Sequence, residues 1–298
     1  MKEHKRILCA GSVLWDIIGR TEDVLGLGGD KAGRIVRSAG GVAFNIAEKL
    51  AALGEHPIML TILGNDADGK ALCDTCADLG FETQFMHFSK LLPTDRYMAI
   101  EDKNGLVAAI ADAHSLEQEG DQILQMLLDP KNDLIQPPQE VLLIVDGNFT
   151  QVQLADIARS VAIKEVTIFI APASPDKVDR LKCFFDRPNT VLFCNLDEAE
   201  TLAERSLTDA QHAVETLLEI GFDRVIVTNG KNMACDGAKN MDTLCQTPPT
   251  VKLRKVTGAG DVFMASYIHQ NINGAARQTA LKAAIRAAGN YVSGQTET

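Results

Sequence analysis

Val256-Thr257-Gly258-Ala259-Gly260-Asp261, followed by the helix-compatible run Val262 to His269, reads as strand, tight small-residue turn and helix. Such a turn aims several unpaired backbone N–H groups, and the positive end of a helix dipole, at one point where an anion can sit. Small residues let a phosphate approach closely. Asp261 stands beside that point, placed to take a proton from an attacking hydroxyl as phosphoryl transfer requires. The plainer reading of the same residues is a favourable first-turn acid behind glycines that merely close a turn.

Working outward, short apolar runs at Ile7 to Cys9, Ile58 to Leu63, Val141 to Val145, Val166 to Ile170, Val191 to Phe193 and Val225 to Val227 read as buried strands. Helical patterns separate them at Ala43 to Leu53, Gly69 to Leu79, Leu154 to Ala162, Asp209 to Ile220 and Ala259 to His269, with Gly54, Gly80 and Gly221 placed to end helices. This alternation predicts a mainly parallel sheet covered by helices on both faces. Ile17 to Arg37 and Thr83 to Ala111 break it, and the second contains Asn104-Gly105, the strongest short hairpin signal. They predict a small β-lid within 17–37 and 83–111, over the strand ends where such sheets bind ligands. The Pro-bearing stretch Asp129 to Gln139 reads as a long surface loop, and the 298 residues as one domain.

Composition narrows the partners. A net charge of −11 leaves no surplus of Lys and Arg to neutralise phosphates broadly, which argues against nucleic acid polymers and anionic membranes. Met1 to Arg6 is polar and no apolar run approaches bilayer length, so a cytoplasmic protein with a small-molecule partner is expected. The seven cysteines are an odd, scattered set and read as reduced thiols packed as small hydrophobes. Cys73 and Cys76, the one C-x-x-C pair, lie in a helical stretch with no second pair at metal-binding spacing and read as structural.

A second glycine block lies far upstream, where Gly40-Gly41-Val42-Ala43-Phe44-Asn45 opens a helix from Asn45 to Leu53. Paired glycines permit close backbone approach, and an Asn amide both donates to and accepts from vicinal hydroxyls; the alternative is a helix cap. In this order, T-G-A-G-D and G-G-x-x-x-N resemble the two signatures of the PfkB, ribokinase-like carbohydrate kinases. The resemblance runs from Leu8 to Ser293. It implies a three-layer α/β/α fold and ATP-dependent phosphorylation of a primary hydroxyl on a small sugar or nucleoside. It also implies Asp261 as the base, Gly258, Ala259 and Gly260 as the anion hole, Thr257 beside the nucleotide, and Gly40, Gly41 and Asn45 against the acceptor's hydroxyls.

Further elements extend the likeness. Gly11-Ser12-x-x-x-Asp16 resembles the element whose Asp binds sugar hydroxyls, although Asp16 also reads as a solvated turn residue. Gly64-Asn65-Asp66-Ala67-Asp68-Gly69 resembles a structural strand-to-helix turn. Asn195-Leu196-Asp197-Glu198 resembles the N-x-x-E element that organises Mg2+ and phosphate through water, and equally reads as a capping box. Thr228 and Gly230, ending the next strand, resemble the turn placed against the nucleotide phosphates. Within the family the likeness is greatest to pseudouridine kinases, on Asn45-Ile46-Ala47-Glu48, Ala109-Ile110-Ala111-Asp112 and Asp146-x-Asn148; this implies that Asp112 approaches the acceptor from the lid and that Asn148 sits near its ring or hydroxyls.

The departures are local. Lys255-Val256 stands where the family's usual Asp-Thr supplies an oxygen ligand, leaving a monovalent-cation requirement open. Ala171 replaces a frequent Asp, Met233 a glycine of the nucleotide turn, and Ala43-Phe44 a small and basic pair. Two alternatives therefore stand beside a pseudouridine kinase: a fructokinase, ribokinase or other sugar kinase, and a ligand-binding regulator that has lost turnover. A Rossmann dehydrogenase is disfavoured, because no G-x-G-x-x-G follows the first strand. Exposed lid edges make a homodimer through the lid an expectation.

Overall fold

The computed structural model describes residues 5–129, 133–137, 140–254 and 257–295. The chain runs β1 (Arg6–Ala10), β2 (Leu14–Arg20), β3 (Arg34–Gly40), α1 (Val42–Ala52), β4 (Pro57–Leu60), β5 (Ile62–Gly64), α2 (Ala67–Asp78) and β6 (His87–Ser89). Next come β7 (Arg96–Asp102), β8 (Gly105–Asp112), α3 (Ser115–Glu119), α4 (Asp121–Leu128), β9 (Val141–Asp146), α5 (Gln151–Arg159), β10 (Thr167–Ala171) and β11 (Thr190–Asn195). It ends with α6 (Leu196–Ala203), α7 (Ala210–Glu219), β12 (Arg224–Thr228), β13 (Ala234–Ala238), β14 (Met241–Gln246), α8 (Ala259–Ile272) and α9 (Arg277–Ser293).

Eight strands form the central sheet in the order β14-β13-β12-β11-β10-β9-β1-β4. The six from β12 to β4 are parallel, and β13 and β14 add an antiparallel hairpin at one edge. Burial on both faces explains the unbroken apolar runs: all six residues of β9 are buried. Alternate residues enter different cores. Leu8 and Ala10 pack with α4 to α7, while Ile7 and Cys9 pack with α1, α2, α8 and α9. The expected three layers follow, and Gly54, Gly80 and Gly221, each at positive φ, end the helices before them.

The lid is a separate four-stranded sheet, β3-β2-β7-β8, whose last hairpin turns at Asn104-Gly105 with Gly105 at φ 114°. Its root is clamped by two carboxylates. Asp66, the cap of α2, accepts from the Gly69 N–H at 2.7 Å and from the Thr94 N–H and hydroxyl at 2.9 and 2.6 Å. Asp95 accepts from the Ser115 hydroxyl at 2.7 Å, while its own carbonyl receives the Trp15 N–H at 3.1 Å, so strands entering and leaving the lid meet there. This is the structural work of the Gly64–Gly69 turn.

Three expectations are corrected. Ile58 to Leu63 is two strands, because after Leu60 the chain leaves the central sheet and β5 pairs with β6, with the Thr61 carbonyl taking the His87 N–H. Within Asp129 to Gln139, residues Asp133–Ile135 form a 3-10 turn with Leu134 and Ile135 buried in the core, while residues 130–132 and 138–139 lie outside the described residues. Finally, Cys235 and Cys245 face each other in the β13–β14 register and form a disulfide, leaving Cys9, Cys73, Cys76, Cys183 and Cys194 as the free thiols.

Candidate active site

The carboxyl ends of the parallel strands set the site's residues side by side. Asp146 ends β9, in register with Ala171 at the end of β10; Asn195 ends β11 in register with Thr228 at the end of β12. Gly11 and Ser12 follow β1. Facing this row are the first turns of α1 and α8, whose amino ends carry the two glycine blocks.

The decisive contact joins those blocks. The Asn45 amide donates to Asp261 Oδ2 at 2.8 Å across 216 residues of sequence. Burial pushes the Asp261 carboxyl up to about 7, and the nearby carboxylates of Asp146 and Glu198 add to the shift while the Asn45 hydrogen bond opposes it. A carboxylate so poised is suited to accept a proton near neutral pH. Gly258, at φ 85°, turns the chain into α8, and the N–H groups of Ala259, Gly260 and Asp261 lie in its first turn. Lys255 and Val256, on which the cation question rests, lie outside the described residues.

Asp146 ties the chain after β1 to the start of α1. Fully buried, it accepts from the Ser12 N–H at 2.8 Å, the Ser12 hydroxyl at 3.0 Å, the Ala43 N–H at 3.2 Å and the Asn148 N–H at 2.9 Å. Ser12 Oγ in turn accepts from the Val42 N–H and the Asn148 amide. The Asn148 carbonyl oxygen is held by Lys177 at 3.0 Å, so both ends of that amide are committed. A Cβ on Gly11 would collide with the Asp146 carboxylate, one on Gly40 with the Asp16 carboxylate, and one on Gly41, at φ 109°, with the Ser12 carbonyl. These glycines are therefore required by close approach. Ser12 and Asp146 stood in the quoted Gly11-Ser12-x-x-x-Asp16 and Asp146-x-Asn148 elements without a role of their own, and Lys177 was not singled out by the sequence.

Asp16 belongs to β2 and points to the lid's inner face, where burial pushes its carboxyl up to about 6. Register places Ser38, Asp16, Tyr97 and Ala111 in one row, with Val36, Ile18, Ala99 and Ala109 on the same face one step along. Tyr97 thus joins the site from outside both signatures. Asp112 does not join it: it pairs with Arg96 in the row of Trp15, on the opposite face of the lid, and its near partner is His114 at 3.8 Å. The alternation of side chains along β8 turns Asp112 away wherever Ala111 faces in.

At the end of β11, Asn195 and Glu198 form a reciprocal capping box, each accepting from the other's N–H at 2.9 and 2.8 Å. Glu198 is raised above the usual carboxylate range by burial. Gly230 lies open at φ 53°, two residues after Thr228. Among the described residues no cluster of three His, Cys, Asp or Glu is placed to cage a metal. Glu198 is the carboxylate that stands with Asn195 at the end of β11. None of the described helices is long and apolar enough to cross a membrane.

A large mainly parallel sheet between helices, a β-lid and an acid in the first turn of α8 make up a ribokinase-like fold. Residues 4–295 match the pfkB family carbohydrate kinase, and the chain belongs to that family. It is 27% identical over 278 residues, 92% of this chain and 74% of the relative, to the Escherichia coli (strain K12) protein described as "Uncharacterized sugar kinase YeiI". It is 26% identical over 274 residues, 89% of this chain and 83% of the relative, to the pseudouridine kinase of the same organism. The fold matches Arabidopsis thaliana ribokinase, complexed with ribose and ATP, with a TM-score of 0.77 at 18% identity, covering 97% of this chain and 92% of that one.

Proposed function

We propose that the chain is one cytoplasmic kinase domain that transfers the ATP γ-phosphoryl group to the primary hydroxyl of pseudouridine. The observation that carries the reading is the Asn45–Asp261 contact, which joins the acceptor block to the proposed base. Asp261 takes the hydroxyl proton, and the N–H groups of Gly258, Ala259 and Gly260 receive the transferring phosphate. Asp16, Gly40, Gly41 and Asn45 orient the acceptor, with Asn148 at its far side. Thr228, Gly230, Thr257 and Asn195 face ATP, and Glu198 orders water around magnesium, which offsets the β- and γ-phosphate charge when bound. The lid's inner face supports a nucleoside acceptor: Tyr97 offers an aromatic ring for stacking beside the small side chains of Ala99, Ala109, Ala111 and Ser38.

A sugar kinase is the second reading, favoured by the likeness to the YeiI sugar kinase and by a hydroxyl-binding set that serves ribose or fructose equally well. Acceptor-dependent ADP release with pseudouridine, ribose, fructose and adenosine decides between them. The expected result is fastest turnover with pseudouridine. A free sugar turned over at higher kcat/KM would replace that acceptor, and binding without ADP release would replace the kinase reading with a regulatory one.

The lid also supports a homodimer. Ile35, Met98, Ile100 and Ile110 are exposed on its outer face, a cluster of the kind that marks an interaction surface. Light scattering is expected to give twice the 32.2 kDa chain mass, and Ile110→Lys to give the single mass. A monomeric wild-type protein would end this reading.

A further inference from the structure

Pro249, Arg254 and Thr257, on the chain that leads toward the anion turn, lie against the end of α9. A Cβ on Gly289 would touch Pro249 Cγ at 3.5 Å. The Arg254 N–H donates to the Val292 carbonyl at 2.7 Å, and a Cβ on Gly294 would stand 3.2 Å from Arg254 Cδ. Last, the Tyr291 hydroxyl donates to the Thr257 carbonyl at 2.9 Å. Tyr291 belongs to neither glycine block and lies 34 residues beyond Thr257.

That final contact bears on the chemistry. In a helix extended backwards by one turn, the Thr257 carbonyl would accept from the Asp261 N–H. Tyr291 takes it instead, and the N–H groups of Ala259, Gly260 and Asp261 have no acceptor among the described residues. Across a planar trans peptide, C=O and N–H point in opposite directions. Holding the Thr257 carbonyl toward α9 therefore turns the Gly258 N–H to the other side. Gly258, at φ 85°, does little to restrain this peptide, because glycine tolerates either orientation.

We infer that Tyr291 is a positioning residue for phosphoryl transfer. Its hydroxyl fixes the Thr257–Gly258 peptide plane so that the donors of the anion turn stay aimed at the transferring group. The inference rests on the assignment of Gly258 to Gly260 as the phosphoryl site.

The test is Tyr291→Phe, assayed with magnesium, ATP and whichever of pseudouridine, ribose, fructose and adenosine is turned over fastest. Loss of one positioning hydrogen bond is expected to lower kcat by about fivefold to tenfold. The acceptor KM and the acid limb of the pH profile stay unchanged, because Asp261, Asn45 and the acceptor contacts are untouched. Affinity for ADP with aluminium fluoride, a stand-in for the transferring group, falls by a similar factor while ADP alone binds as before. A purely structural tyrosine would instead lower Tm and leave kcat intact, and kcat within twofold of wild type overturns the inference.

Gly258→Ala supplies a second measurement. Its Cβ would meet the Tyr291 hydroxyl at 2.7 Å but the ring carbon behind it only at 3.4 Å. The loss from Gly258→Ala is therefore smaller when combined with Tyr291→Phe than in wild type; strictly additive losses contradict the proposed contact. Failure of the underlying site reads differently: Asp261→Asn would then keep full turnover, whatever Tyr291→Phe does.

Discussion

Asp261→Asn is expected to lower kcat about a thousandfold, the order of effect seen when a positioned general base is removed. The amide is isosteric and its oxygen still accepts from Asn45, so the fold and ATP binding are retained. It also removes a negative charge held near Asp146 and Glu198, and Tm is expected to stay equal or rise. Steady-state kinetics with thermal melting checks both; a variant keeping more than a tenth of wild-type kcat would leave Asp261 without its role.

The pH profile belongs to the same prediction. Asp261 works only when ionised, so kcat/KM is expected to rise with pH through a midpoint near 7 and to level off above it. The Asn45 hydrogen bond favours the ionised form and lowers the pKa. Asn45→Ala should therefore move the acid limb to higher pH as well as weaken the acceptor. A limb that moves down, or a flat profile between pH 6 and 8, contradicts the assignment.

The second large effect concerns stability. Asp236, fully buried on β13, accepts from Arg224 Nε and Nη2 at 3.0 and 2.8 Å, from Arg277 Nη2 at 3.1 Å and from the Tyr267 hydroxyl at 2.5 Å, and Tyr267 also meets Arg224. The network ties β12 and β13 to α8 and α9, and so seats the helix whose first turn carries Asp261. Burial alone would raise the Asp236 carboxyl; the hydrogen bonds and charge of Arg224, with Arg277 and Tyr267, outweigh it and hold the pKa below the ordinary range. Asp236→Ala strands two guanidinium groups and is expected to cost about 3–5 kcal/mol, as when one partner of a buried ion pair is removed. In a chain of this size that lowers Tm by roughly 5–8 °C.

The pH dependence follows from the sign of the shift. A carboxylate whose folded pKa is depressed contributes stability above its unfolded value, near 4, and loses it as pH falls through the folded pKa. The gap between wild type and Asp236→Ala is therefore expected to be full at pH 7 and to narrow in acid below about 4. Chemical denaturation at several pH values measures it, and a gap that widens in acid would show that the ion pairs are not its source.

The short-range features were open to reading in the sequence because their causes are local. Continuous apolar runs mark strands buried on both faces, glycines at positive φ end α1, α2 and α7, and Asn104-Gly105 turns the lid hairpin. Both glycine blocks and Asp261 were visible in the same way, as turn chemistry ahead of a helix. Other matters depended on which strands become neighbours and in what register. That order brings Asn45 to Asp261, gives Asp146 its four donors, sets Tyr97 beside Asp16, turns Asp112 outward and places Cys235 opposite Cys245. No local pattern encodes it, since a one-residue change of register reverses the face of every side chain. Asp261 and its glycine turn were thus determined by sequence alone, whereas the Asn45 amide, the neighbouring carboxylates and the Tyr291 hydroxyl that act on them arrive only through tertiary packing.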